Sequence, residues 1–67
     1  MYKITKHAKE RMSKYNVDEH MVKEALNNPE HILVGNKGRK IYHKKLNGYL
    51  LRIIIEEVYL TALMLHL

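Results

Sequence analysis

The 67-residue chain contains no cysteine, tryptophan or phenylalanine, and only one proline and three glycines. Without cysteine, neither disulfides nor thiolate zinc sites can supplement a small core, a pattern that fits the cytoplasm. No apolar run approaches the roughly 20 residues of a membrane span, and the N-terminus lacks a signal-peptide apolar core. A membrane is therefore not among the expected partners. Acidic residues are scarce as well: seven Asp and Glu against twelve Lys and Arg leave a net charge of +5. Such an excess of cations is the electrostatic footprint of an anionic partner, most often nucleic acid. Hydrophobic residues make up 46% of the chain, which argues against disorder. The length allows one domain, residues 1–67, burying roughly 60% of the surface of its unfolded form. Oligomerisation would add to so thin a stability.

What is present is organised around Tyr49 to Glu56, Y-L-L-R-I-I-I-E, a β-branched and apolar run of strand length. Alternation puts Leu51, Ile53 and Ile55 on one face, with Leu50, Arg52, Ile54 and Glu56 on the other. The first face is wholly apolar and needs cover. The second carries an arginine and a glutamate, so the sheet is expected to bear helices on one side and stay open to a ligand on the other.

Ahead of this strand the chain reads as an edge strand at Met1 to Ile4, a helix capped by Thr5 and running to Tyr15, and a second helix from Glu19 to Asn27 capped by Asp18. Ala8, Met12 and Tyr15 form the buried stripe of the first helix. Asn16 suits the left-handed position that ends it, with Val17 packing back. The second helix stops at Asn28-Pro29. The period then becomes two: His31 to Val34 is a strand, Gly35 to Gly38 a turn, and Arg39 to Leu46 another strand. Gly35-x-x-Gly38 has the outline of the loop with which KH domains clamp nucleic acid, but that loop joins two helices and this one joins two strands. Val58 to Leu67 reads as a last strand, although no glycine marks a turn at Glu56-Glu57. The expected class is α+β, two N-terminal helices on a three- or four-stranded antiparallel sheet.

Asn47-Gly48 is a strong two-residue hairpin signal, since both positions take positive φ. It pairs Leu46 with Tyr49, Lys45 with Leu50, His43 with Arg52, Ile41 with Ile54 and Arg39 with Glu56. Arg39, His43, Lys45, Arg52 and Glu56 then share the open face, a grouping that a one-residue slip would destroy.

This patch has the parts for metal-free cleavage of an RNA backbone: a base for the 2′-hydroxyl, cations for the phosphate and an acid for the leaving 5′-oxygen. Glu56 or His43 is the candidate base, and His43 or His66 the acid. Arg52 and Arg39 would clamp the phosphate. The competing reading is a solvated face with cross-strand Arg–Glu pairing, worth only a few tenths of a kcal/mol. His7, Arg11 and Lys14 form a basic stripe on the first helix, either plain solvated surface or a set of phosphate contacts. Tyr42 and Tyr49 pack as strand tyrosines or stack on bases. The five histidines stand too far apart in sequence to suggest a metal site, and neither metal nor cofactor is expected. His20 and His31 read as surface or element-end residues.

T-K-H-A-K-E-R-M at Thr5 to Met12, N-V-D at Asn16 to Asp18, A-L-N-N-P at Ala25 to Pro29, G-R-K-I-Y at Gly38 to Tyr42 and L-R-I-I-I at Leu51 to Ile55 span nearly the whole chain. Together they resemble the domain of unknown function 4258 family. The family resembles the RelE and barnase-like group, which implies two helices on an antiparallel sheet and, in many members, ribonuclease toxin activity. The resemblance brings the recurrent polar positions onto His7, Arg11, Arg39, Tyr42 and Arg52. Two positions depart from the family pattern: Tyr15 stands where arginine is usual and Asn16 where glycine is usual. The function expected is that of a RelE-like, metal-independent endoribonuclease, the toxin of a toxin–antitoxin pair. RNA, ribosome-associated mRNA included, and an acidic antitoxin would be its partners. The rivals are a non-catalytic nucleic-acid-binding module and a small homodimer or higher oligomer joined through its apolar last strand.

Overall fold

Thr5 starts the first helix as its hydroxyl dictates, Oγ1 accepting the Ala8 N–H at 3.3 Å. In the computed structural model, which describes residues 2–66, this helix is α1 (Lys6–Tyr15). Asn16 ends it in the left-handed conformation at φ 59°, and the Val17 N–H turns back to the Met12 carbonyl at 2.8 Å. Asp18 then caps α2 (Glu19–Asn27), its Oδ1 accepting the Met21 N–H at 2.9 Å. The strands are β1 (Lys3–Ile4), β2 (His31–Val34), β3 (Lys40–Leu46), β4 (Tyr49–Glu56) and β5 (Tyr59–His66). Met1 and Leu67, which the sequence assigns to the first and last strands, lie outside the described residues.

The sheet corrects the expectation of three or four antiparallel strands. It has five, in the order β1-β5-β4-β3-β2, and it is mixed, because β1 runs parallel to β5. A two-residue strand carries no periodicity of its own. It is fixed by the Lys3 N–H on the Val58 carbonyl at 2.7 Å and the Thr5 N–H on the Leu60 carbonyl at 3.1 Å.

The β3–β4 register is the one the Asn-Gly turn imposes, with Leu46 opposite Tyr49 and His43 opposite Arg52. Asn47 and Gly48 both take positive φ, 50° and 84°. The β4–β5 turn has no glycine, so Glu57 takes the left-handed conformation at φ 55°. Between β4 and β5 the register shifts at Ile54/Ile55, leaving Thr61 as the extra residue of a bulge. The bulge lets Leu60 and Leu63, three residues apart, both reach the core. Two hydroxyls hold it: Thr61 Oγ1 donates to the Ile54 carbonyl and Thr5 Oγ1 to the Thr61 carbonyl, each at 3.4 Å.

Both helices lie on one side of the sheet. Ala8, Met12, Val22 and Ala25 from the helices and Val17 between them meet Tyr42, Leu51, Ile53, Ile55, Leu60 and Leu63 from the strands. Full burial of each large aliphatic side chain contributes about 1.5–3 kcal/mol. At the far edge β2 lies largely beyond the helices, and all four of its residues are exposed. Among the described residues no helix is long and apolar enough to cross a membrane.

Candidate functional site on the open sheet face

Odd-numbered positions of β3 and even-numbered positions of β4 turn away from the helices, so the open face is built by alternation alone. Pairing arranges its side chains in rows across the strands. The first row is His31–His43–Arg52–Met64. Toward the Asn47-Gly48 turn the next row is Lys45–Leu50–His66. On the other side lies an apolar row, Leu33–Ile41–Ile54–Ala62. Arg39 and Glu56 stand beyond that apolar row.

The first row brings two imidazoles and a guanidinium side by side. Arg52 Nε donates to His43 Nε2 at 3.1 Å, so this nitrogen carries a lone pair and the imidazole is neutral. Burial, then the nearby charge of Arg52, then His31, lowers the His43 pKa from its usual 6.5. All three effects favour the basic, unprotonated ring. Lys45 and His66 flank Leu50 in the adjacent row and add donors beside the pair.

Arg39 and Glu56 meet as the hairpin register requires, Nη2 to Oε1 at 2.7 Å, with their side chains 50% and 42% exposed. That leaves the Glu56 carboxylate committed to a partner. Glu56 also lies four residues, roughly 13 Å along β4, from Arg52. Of the residues the sequence grouped as one centre, the structure gathers Arg52, His43 and His66 at one end of the open face. Arg39 and Glu56 form a separate pair behind Ile41 and Ile54.

The proposed nucleic-acid contacts divide further. Lys45 is on the open face. Tyr42 is a correction: as an even-numbered position of β3 it is buried under the helices, 8% exposed, and cannot stack on a base there. Burial, then a hydrogen bond with Tyr2, raises its pKa. His7, Arg11 and Lys14 belong to the helical layer, on the opposite side of the sheet. Arg11 Nη1 donates to Tyr15 Oη at 3.1 Å, and Lys14 Nζ lies 5.7 Å from the Tyr15 ring centre. The stripe and the open face therefore do not form one groove.

His31 is the residue that reading along the chain missed. It sits opposite His43 through the β2–β3 register. The signal was the Gly35 to Gly38 turn, whose pairing of Val34 with Lys40 places His31 there. Among the described residues no three His, Asp or Glu side chains gather as a metal site would need.

A family model described as a domain of unknown function, DUF4258, matches residues 4–60. The chain belongs to the DUF4258 family. That match takes in both helices, β2, β3 and β4, and thus the whole His31–His43–Arg52 arrangement of this DUF4258 chain. No curated protein and no solved structure matches it.

Proposed function

We propose that this DUF4258 chain is a RelE-like, metal-independent endoribonuclease acting as the toxin of a toxin–antitoxin pair, with RNA bound on the open sheet face. The observation that carries the reading is the Arg52–His43 hydrogen bond beside His31 on a face free of helices. A phosphodiester offers Arg52 two anionic oxygens, a stronger and bidentate partner than a neutral ring nitrogen. Its arrival draws the guanidinium off His43 and frees Nε2 to take the 2′-hydroxyl proton. The 2′-oxygen then bonds to phosphorus, Arg52 and Lys45 balance the added negative charge, and the P–O5′ bond breaks. His31 or His66 donates the proton that the leaving 5′-oxygen takes up. The products are a 2′,3′-cyclic phosphate and a free 5′-hydroxyl. His43 serves better as base than Glu56, which Arg39 already holds. An acidic antitoxin suits the same face, its apolar side chains on the Leu33–Ile41–Ile54–Ala62 row and its carboxylates on the surrounding cations.

The test is incubation of purified protein with total RNA, followed by analysis of the cut ends. Cyclic-phosphate ends are expected, with cleavage falling about 100- to 1,000-fold in Arg52→Gln and collapsing in His43→Gln while both variants stay folded. RNA that binds in a salt-sensitive manner and is never cut would overturn catalysis and leave a nucleic-acid-binding module.

A further inference from the structure

We propose that β2 is a self-association edge at which two copies of the chain pair antiparallel, joining their sheets into one. Three consecutive side chains of this strand are among the most exposed large apolar groups of the described residues: Ile32 at 49%, Leu33 at 50% and Val34 at 73%. The strand ends the sheet order, so its outer backbone edge has no strand partner among the described residues. Though short, it carries no lysine, proline or bulge between His31 and Val34 to keep another strand off.

Charge selects the occupant. The segment from His31 to Asn36 has no formally charged residue in a chain of net charge +5. Two copies meeting there bring no formally charged side chains of the two strands together. Glu30 precedes the strand and Lys37 follows it. Antiparallel pairing sets each copy's acidic end beside the other's basic end, whereas parallel pairing sets like beside like.

Register narrows the arrangement. Side chains on the same face can oppose one another only when both positions are odd or both even. Pairing Leu33 with Leu33 of the second copy sets Ile32 against Val34 in both directions. The two copies' Ile32 and Val34 then pack together on the helix side, in the space beyond each helical layer. On the open side the two Leu33 residues join the apolar rows of the two sheets. A four-residue strand is roughly 13 Å long, a small contact, so the dimer is weak and its population depends on concentration. This inference is independent of the ribonuclease reading.

Sedimentation velocity of the full chain, run over a wide concentration range at low salt, tests it. The expected result is a reversible shift from monomer toward dimer mass as concentration rises. Val34→Lys should remain monomeric over the same range with an unchanged circular dichroism spectrum, since the side chain is mostly solvent-exposed already. Lys37→Glu should weaken the dimer and the Glu30→Lys/Lys37→Glu swap should restore it, with circular dichroism as the folding control because Glu30 Oε1 also accepts the Lys45 N–H at 2.9 Å. This reading holds even if Val34→Lys fails to fold. A monomer at every concentration overturns the proposal, as does a dimer indifferent both to Val34→Lys and to the charge swap. An edge that stays monomeric yet takes up a foreign extended peptide overturns it equally.

Discussion

Two neighbours on β4, Ile53 and Ile54, give the sharpest test of a sheet dressed on one side only. Ile53 is wholly buried between the strands and the helices, whereas Ile54 is half-buried on the open face. Replacement by alanine removes three carbons from either side chain. At about 0.8 kcal/mol per buried carbon, Ile53→Ala forfeits roughly 2.4 kcal/mol of transfer energy. The cavity beneath α1 and α2 adds to this, for a total of about 3–4 kcal/mol. Ile54→Ala leaves no enclosed cavity, and only part of its carbon surface was dry. Its cost should be about 1 kcal/mol. A 67-residue protein has roughly 3–10 kcal/mol in total, so the first change should bring it near unfolding and the second should leave it folded. Urea titration followed by far-ultraviolet circular dichroism measures both, with equal m-values confirming the comparison. Equal costs at the two positions would refute the reasoning, because they would mean that the open face is covered as thoroughly as the core. The titration belongs at low protein concentration, where association through β2 contributes little.

Three further outcomes follow from the structure. Glu57 occupies a left-handed position at φ 55°, which costs an ordinary side chain roughly 1–2 kcal/mol. Glu57→Gly should therefore raise stability by about 0.5–1 kcal/mol after the loss of chain entropy, and a higher melting temperature checks it. The native His43 pKa lies below its ordinary 6.5, through burial first and then Arg52 and His31. Its contribution to stability is thus fully present above pH 6.5 and is lost as pH falls through the lower native value; His43→Gln should flatten that acid limb in a series of urea melts. Tyr42 behaves in the opposite sense: burial, then the Tyr2 hydrogen bond, raises its pKa above 10.0. Stability present below pH 10 should be lost as pH rises through the raised value, and Tyr2→Phe should bring the phenolate absorbance of Tyr42 in at lower pH.

The parts of this architecture that were legible beforehand are those a local rule determines. Asn47-Gly48 favours a two-residue hairpin, and that turn alone pairs His43 with Arg52 and brings Arg39 to Glu56. Thr5, Asn16 and Asp18 are caps whose side chains or backbone freedom leave little choice. What stayed hidden depends on distant partners. β1 is too short to show a period, and its parallel place beside β5 is decided by two backbone hydrogen bonds to residues more than fifty positions away. The Thr61 bulge shows only as a mismatch, Leu60 and Leu63 both apolar at a spacing no regular strand can bury. His31 needed a second register, across a turn with Lys37 at φ 59°, for its place opposite His43 to emerge. Tyr42 was open to two readings, packing within the sheet or a polar role suggested by the family pattern, and its burial decides for packing.

One-sided packing also determines how the ribonuclease proposal can be tested. Every large side chain buried in the core belongs to the helical side, and His43, Arg52, His31 and His66 are absent from it. Substitutions at those four positions alter open-face groups, with His43 and Arg52 part-buried among them, and one hydrogen bond, but not the core under the helices. Arg52→Gln should therefore change stability by no more than about 1 kcal/mol, far less than the loss at Ile53. A folded Arg52→Gln protein that no longer cuts RNA speaks to chemistry, since the scaffold beneath it does not depend on the guanidinium. If that substitution instead melts the domain, Arg52 is holding the sheet together, and its hydrogen bond to His43 has a structural purpose.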